Sequence, residues 1–179
     1  SNIGGNWTIY GVYLKDTYDS LKHYSRSELD ALGVPASIEV IGGITDFDPP
    51  VLVSLTVDKT SVDVSGGEQT VTFTIEFTDE TGIKGGGYTY INLTAPNGST
   101  KYVNNFQTST SSPVTGSTTF SSTNAAGNWK ISSLILRDPA DNQKVYSRSE
   151  LDALGVPVSF EVIGGNTDFD PPVLTSLTV

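Results

Sequence analysis

Apolar and polar residues alternate most regularly in the middle of the chain, between Val71 and Thr78. The apolar positions are Val71, Phe73, Ile75 and Phe77, and threonine or glutamate stands between them. Successive side chains of a β-strand point to opposite faces, so this pattern predicts a strand with one buried and one exposed face. A sheet with one side turned towards a core is therefore expected.

Other short segments rich in threonine and valine predict the remaining strands. These are Val53–Asp58 continued by Ser61–Val64 after a break near Lys59, Tyr88–Leu93, Lys101–Gln107, Gly116–Ser122, Asn128–Leu136 and Val158–Ile163. Seven short strands separated by turn signals predict an all-β antiparallel sandwich of the immunoglobulin type. Trp129, and Trp7 near the start of the chain, are the predicted large core residues.

One short helical turn interrupts the strand pattern. Ser147 and Glu150 have the spacing of a capping box, and Leu151 follows as the apolar residue of the turn. Gly155 then ends the helical turn. The same signature recurs at residues 25–35, so one helical turn is expected in each copy.

A displacement of 122 residues aligns the two ends of the sequence. Residues 1–57 align with residues 123–179 without a gap, and 39 of the 57 pairs are identical. Such self-similarity indicates tandem repeats of one structural unit. We expect the C-terminal part of one repeat at residues 1–47, a complete repeat at residues 48–169, and the first strand of the next repeat at residues 170–179.

The partial repeat at residues 1–47 lacks the strands that would cover its apolar side chains. Apolar surface left in water is unfavourable, so this part of the chain is expected to be completed by other strands. We expect them to come from a longer polypeptide of which the chain is an internal or processed piece. The alternative is strand donation by a neighbouring copy of the chain.

The charge of the chain excludes several classes of partner. The sequence has 20 acidic and 10 basic residues, a formal net charge of -10, and no cysteine. An acidic surface repels nucleic acid phosphates and anionic lipids and attracts cations. No apolar run reaches the roughly 18 residues of a membrane span. We therefore expect neither nucleic-acid binding nor membrane insertion.

Three acidic segments are expected to meet at one end of the predicted sandwich, where the loops after its second and sixth strands return to the point of entry. These candidate metal ligands are Asp46, Asp48, Asp79, Glu80, Asp138 and Asp141. Carboxylates held close together repel one another, and Ca²⁺ offsets this charge with six to eight oxygen ligands. The pattern predicts a calcium site next to two prolines that stiffen the chain.

Two other interpretations of the polar residues bear on function. The acids could be ordinary solvated loop residues, partly neutralised by Lys84, Arg137 and Lys144. Catalysis is not expected, because His23 is the only histidine and no Gly-x-Ser-x-Gly motif is present. The carboxylates also lack nearby aromatic residues of the kind that form a sugar platform in a glycosidase. We therefore predict that the protein is not an enzyme.

Several motifs are distributed along most of the 122-residue unit. They are Gly-Asn-Trp-x-Ile, Tyr-Ser-x-Ser-Glu-Leu-x-Ala-Leu-Gly, Asp-Pro-Pro-x-Leu and Thr-Asp-Glu-Thr-Gly-Ile. This set resembles the tandem immunoglobulin-like repeats of large bacterial surface and secreted proteins, including giant adhesins. The resemblance implies an extracellular or cell-surface location, a spacer or stalk role, and calcium at the linkers, carried here by Asp46, Asp48, Asp79 and Glu80.

Three functional hypotheses follow. The first is a structural repeat module, a spacer, stalk or fibre of a bacterial extracellular protein, whose linkers are stiffened by calcium and whose partners are adjacent identical repeats. The second is an adhesin module for a carbohydrate or a host protein. Its contact residues would be Tyr10, Tyr13, Tyr18 and Tyr24 or the loop Thr108–Thr115. The third is a filament subunit that neighbouring copies complete by strand exchange.

Overall fold

A computed structural model describes residues 3–157 and 159–178 of the chain. This part consists mainly of β-strands with two short helices, so the predicted all-β class is confirmed. The chain divides into two compact units, Ser1–Asp46 and Phe47–Val179. Within the described ranges, neither helix has the length and apolar character that crossing a membrane requires.

The first unit contains two antiparallel strand pairs and one helical turn. Its elements are β1 (Gly5–Thr8), β2 (Gly11–Lys15), β3 (Leu21–Ser25), α1 (Arg26–Ala31) and β4 (Ser37–Val40). β1 pairs with β4, and β2 pairs with β3. Leu29 of α1 is buried, but many apolar side chains of the strands are exposed. The unit is therefore built like a half of a sandwich with one open face.

The second unit forms two sheets. Its elements are β5 (Val51–Val57), β6 (Ser61–Asp63), β7 (Gln69–Thr78), β8 (Tyr90–Thr94), β9 (Thr100–Val103), β10 (Val114–Phe120), β11 (Gly127–Arg137), β12 (Gln143–Ser147), α2 (Arg148–Ala153) and β13 (Ser159–Ile163). One sheet has the strand order β10-β7-β5. The other has the order β6-β13-β11-β8-β9, and β12 also pairs with β11. The arrangement is sandwich-like.

Side chains from both sheets share one core. The alternating residues of β7, from Val71 to Phe77, are buried as the sequence pattern predicts. The ring of Phe120 lies edge-on to Trp129, with centroids 5.0 Å apart, and edge-on to Phe160 at 5.3 Å. Trp129 is only 2% exposed, so its predicted core position is confirmed.

The prediction that Trp7 is a core residue is wrong for this chain. Trp7 is 52% exposed, although it lies on β1 at the position that Trp129 occupies on β11. The physical reason is that burial depends on a second sheet. Trp129 is covered by residues such as Phe120 of β10, whereas no such sheet covers Trp7 within the described residues.

The strand predictions need three further corrections. β12 was not predicted, because it runs directly into the helical turn with no turn signal between the two. β6 pairs in parallel with β13, whereas a purely antiparallel sandwich was expected. This follows from the break near Lys59, where the chain leaves the β5 sheet and joins the opposite one. The last predicted strand began at Val158, which lies outside the described residues; β13 is described from Ser159.

Residues 170–178 form no strand in the described structure, although their sequence nearly repeats that of β5. β5 is a strand because it pairs with β7 and buries Leu52 and Leu55. The equivalent leucines, Leu174 and Leu177, are about three-quarters exposed. A strand sequence without a neighbouring strand cannot satisfy its main-chain hydrogen bonds in this way.

Both copies of the repeated sequence adopt the same register. Trp7 is paired with Ile38 in β1 and β4, and Trp129 is paired with Phe160 in β11 and β13, at positions 122 residues later. In each copy the indole Nε1 donates to the main-chain oxygen four residues earlier, at 2.9 and 2.8 Å. The same local sequence therefore gives the same local structure, whether or not a second sheet covers it.

An arginine at the start of each helix bonds the surrounding main chain in the same way. Arg148 donates to the main-chain oxygens of Ile131 and Val156, at 2.8 and 3.0 Å. Arg26 donates to the equivalent oxygens 122 residues earlier, at 3.0 and 2.8 Å. Each arginine therefore ties a helical turn to the main chain of residues that precede and follow it in the sequence.

The helical turn α2 begins with the predicted capping box. The main-chain nitrogen of Ser147 donates to Glu150 Oε2 at 2.8 Å, and Lys144 Nζ lies 2.7 Å from Glu150 Oε1. The hydrogen bond from Lys144 is the largest cause that lowers the pKa of Glu150 to about 2, followed by the bonds from Ser147. In the first unit, the main-chain hydrogen bond from Ser25, followed by the bond from Lys22, lowers the pKa of Glu28 to about 2.

This capping box predicts a specific acid sensitivity. Because the folded-state pKa of Glu150 lies below its ordinary value of 4.5, the carboxylate stabilises the fold above pH 4.5. That stabilisation is lost as the pH falls towards 2. We expect Glu150→Gln to unfold less steeply with acid over this window than the unchanged chain, as measured by circular dichroism. An unchanged slope would contradict the assignment of the low pKa.

Candidate metal centre

Three of the predicted acidic ligands come together in the structure. Asp46, Asp79 and Asp138 each place a carboxylate oxygen within 4.8 Å of the others. Asp46 and Asp138 are buried, and Asp79 is half-buried. We refer to these three residues as the carboxylate cluster. Buried carboxylates are uncommon unless another group offsets their charge, so this cluster is the candidate metal centre.

Asp138 is positioned by a tight turn directly after β11. The main-chain nitrogen of Asn142 donates to Asp138 Oδ1 at 2.8 Å, and Asn142 Nδ2 donates to Asp138 Oδ2 at 2.7 Å. The turn closes through Asp138 N, which donates to the main-chain oxygen of Asn142 at 3.1 Å. These bonds fix the orientation of a carboxylate that has no exposed surface.

Asp79 follows the last residue of β7 and is held by a local turn of its own. Asp79 Oδ1 accepts hydrogen bonds from the main-chain nitrogen of Thr81 at 2.9 Å and from Thr81 Oγ1 at 3.2 Å. Aspartate commonly bonds the main chain two residues further on in this way. Both of these hydrogen bonds use Oδ1.

Asp46 belongs to the segment that enters β5. It is 5% exposed, whereas Asp48, two residues later, is exposed. Pro49 and Pro50 follow and restrict the main chain before the strand begins. The linker therefore contributes one buried acid to the carboxylate cluster.

The other three predicted ligands lie outside the carboxylate cluster. Asp48 and Glu80 are exposed. Asp141 forms an ion pair with Lys84, at 2.6 Å between Oδ1 and Nζ, and its Oδ1 lies 3.9 Å from Arg137 Nε. The hydrogen bond from Lys84 is the largest cause that lowers the pKa of Asp141. Asp141 is therefore partly neutralised by lysine and arginine, as expected if it is an ordinary loop acid and not a metal ligand.

The geometry of the cluster suits a hard divalent cation. Two unit negative charges about 4.8 Å apart repel by roughly 3.5 kcal/mol at an effective dielectric of 20. A divalent cation offsets this repulsion, and carboxylate oxygens are the ligands that Ca²⁺ and Mg²⁺ prefer. Loops and a linker also provide the flexible geometry that Ca²⁺ tolerates better than Mg²⁺. Asp46, Asp79 and Asp138 would hold the ion through one oxygen each.

Sequence reasoning found the acids but missed the residue that orients Asp79. Thr81 donates two hydrogen bonds to it, and Asn142 does the same for Asp138. Thr81 could have been found, because aspartate commonly bonds the main chain two residues further on.

The first unit contains the counterpart of this turn. Asp16 is the counterpart of Asp138, and its Oδ1 accepts from the main-chain nitrogens of Tyr18 and Ser20, both at 2.9 Å. Asp16 is exposed, whereas Asp138 is fully buried. The turn is therefore set by local sequence, while burial of its aspartate requires the rest of the sandwich.

These observations define an all-β, sandwich-like domain with a carboxylate cluster beside its first strand. Residues 50–163 match a family described as a domain of unknown function, DUF7034, and the chain belongs to this family. The matched residues fall inside the 122-residue repeat. No curated protein matches the chain.

Proposed function

We propose that the protein is a structural repeat module of a bacterial extracellular protein, in which a divalent cation stiffens the linker that leads into each repeat. In this function the module acts as a spacer, stalk or fibre segment, and its partners are adjacent repeats of the same kind. It performs no chemical reaction. Calcium is the cation that fits this role.

The observation that carries the proposal is the recurrence of one structure at an interval of 122 residues. Trp7 lies opposite Ile38, and Trp129 lies opposite Phe160 in the same register 122 residues later. The two helical turns also have the same capping box. Tandem copies of one unit are typical of proteins that gain length by repetition. The resemblance to bacterial surface repeats supports an extracellular location.

The carboxylate cluster supports the role of the cation. Its members belong to the linker, to the loop after β7 and to the turn after β11, so an ion bound by all three restrains the linker. Extracellular calcium modules bind with dissociation constants of roughly 0.1 to 1 mM. At ten to a hundred times that concentration, binding would stabilise the folded state by about 1.4 to 2.7 kcal/mol.

Small-angle X-ray scattering tests this function on a chain of two complete repeats, with residues 48–169 present twice. We expect its maximum dimension to increase when calcium replaces a chelator, because a restrained linker keeps the repeats apart. The matched control carries Asp79→Asn in the second repeat only, and its dimension should be the same in both conditions. Equal dimensions of the unchanged chain with calcium and with chelator would contradict the spacer function.

A concave surface on the second unit favours a second candidate function, ligand binding by an adhesin module. Gly87, Tyr90, Tyr102 and Asn104 line a space of about 300 Å³. The two tyrosine rings stand edge-on, with centroids 6.0 Å apart. Aromatic rings and an amide in a shallow concavity suit a sugar. Shifts of the tyrosine resonances on adding a panel of sugars would favour this function over that of a spacer.

A further inference from the structure

The first unit exposes a set of apolar side chains that the second unit buries. Trp7 is 52% exposed and Ile38 is 58% exposed, while their counterparts Trp129 and Phe160 are each 2% exposed. Leu14 is exposed, whereas its counterpart Leu136 is buried. We call the surface formed by Ile3, Trp7, Leu14 and Ile38 the open face of the first unit. All four side chains are large, apolar and at least 48% exposed.

The second unit shows what covers the equivalent face. There, the ring of Phe120 contacts both Trp129 and Phe160, and the ring of Phe73 stands 6.0 Å from that of Phe160. The main-chain nitrogen of Leu52 donates to Tyr146 Oη at 2.8 Å. The covering residues thus come from β5, β7 and β10, which all belong to the first half of the repeat.

The strand edge next to the open face is also complemented in the second unit. β8 pairs along β11, from Lys130 with Thr94 to Ile135 with Tyr90. In the first unit, β1 pairs with β4 and β2 pairs with β3, and the described residues give these strands no counterpart of β8. The exposed apolar side chains and the open strand edge therefore both match strands from the first half of the repeat.

We propose that the open face of the first unit is a docking surface for the first half of a further repeat, a polypeptide segment with the sequence pattern of residues 48–122. The segment supplies strands equivalent to β5 through β10. Its counterpart of Phe120 packs against Trp7 and Ile38, and its counterpart of β8 pairs along β1 and β2. The cation site is not needed for this docking.

Strand exchange with a second copy of the chain does not satisfy the open face. Within the described residues, each copy contains one first half, Val51–Phe120, and two second halves, one in each unit. If a copy gave its first half to the first unit of another copy, its own Trp129 would become exposed instead. The number of uncovered faces stays the same, so exchange gains no burial of apolar surface.

The open face has nearly the same apolar volume as the equivalent buried face of the second unit. At the counterparts of Ala125 and Phe160, the first unit has Ile3 and Ile38. One side chain is larger and the other is smaller, so the apolar volume of the pair changes little. Cores tolerate such compensated changes at modest cost. Identical registers around Trp7 and Trp129 also keep the indole in the same place.

The test adds a separately produced segment of residues 48–122 to the full chain and follows quenching of tryptophan fluorescence by acrylamide. The segment contains no tryptophan, so the signal reports Trp7 and Trp129 alone, and Trp7→Phe assigns the two contributions. We expect the emission of Trp7, which acrylamide quenches in the chain alone, to be protected from quenching when the segment is added. Unchanged quenching of Trp7 at saturating segment would overturn the proposal, and so would protection that arises when the chain alone is concentrated.

A fused chain keeps the test decisive if the free segment aggregates. Residues 48–122 are placed directly before Ser1, which is the counterpart of Thr123. We expect Trp7 in this fusion to be as protected as Trp129. In the matched control, Phe73→Asp and Phe120→Asp are introduced in the added segment only, and Trp7 should remain quenchable. Equal quenching of Trp7 in the fusion and in the unfused chain would overturn the proposal.

Discussion

Replacing Trp129 with alanine is expected to lower the free energy of unfolding of the second unit by about 3 to 5 kcal/mol. The indole is 2% exposed and lies edge-on to Phe120. Its loss leaves a cavity and removes the hydrogen bond from Nε1 to the main-chain oxygen of Ala125, which is 2.8 Å long. Urea unfolding followed by far-ultraviolet circular dichroism measures the change.

Trp7→Ala is the matched control for this experiment. Trp7 makes the same hydrogen bond, to the main-chain oxygen of Ile3 at 2.9 Å, but half of its surface is exposed. We expect its replacement to cost less than about 1 kcal/mol, because little apolar burial is lost. Equal losses for the two variants would mean that Trp7 is covered in solution, contrary to the description of the open face.

Asp79→Asn is expected to abolish the stabilisation of the fold by calcium. In the unchanged chain, calcium at ten to a hundred times its dissociation constant should raise the melting temperature by about 4 to 10 °C. Asparagine keeps both hydrogen bonds from Thr81, since both use Oδ1, but removes a negative charge from the carboxylate cluster. With chelator, this variant should melt at or slightly above the temperature of the unchanged chain.

Asp63→Asn provides the matched control for Asp79→Asn. Asp63 Oδ1 accepts a hydrogen bond from the main-chain nitrogen of Ser65 at 2.9 Å, so it forms the same kind of turn outside the carboxylate cluster. Asp138→Asn is a poorer test, because both carboxylate oxygens accept hydrogen bonds from Asn142. A calcium response that survives Asp79→Asn but not Asp63→Asn would contradict the assigned site.

The strands were predictable where burial follows a local period. The alternation from Val71 to Phe77 identified β7, and the capping box at Ser147 identified α2. β12 was missed because a strand that runs directly into a helix has no turn signal between the two. The parallel pairing of β6 with β13 was missed because it depends on a crossing between sheets, which no local pattern records.

Burial was less predictable than secondary structure. Trp7 and Trp129 stand in nearly identical sequence, and both lie on strands with the same register. Their exposures differ because a second sheet covers only one of them. A local sequence specifies which face of a strand is apolar, but the residues that cover that face come from elsewhere in the chain.

The candidate site was predictable to the level of loops, not of side chains. Strand order placed the linker and two loops at one end of the second unit's sheets, and Asp46, Asp79 and Asp138 lie together there. Asp141 follows the same strand as Asp138, but its main chain is in the left-handed region, with φ of 75°, and its side chain pairs with Lys84. Such side-chain directions depend on turn geometry and on partners distant in sequence.

Titration calorimetry of calcium into the full chain tests the central claim most directly. We expect one saturable site per chain, with a dissociation constant of roughly 0.1 to 1 mM. We also expect Asp79→Asn to remove the binding heat and Asp63→Asn to leave it unchanged. The absence of saturable binding to the unchanged chain, or binding that Asp79→Asn does not alter, would contradict a calcium site at the carboxylate cluster.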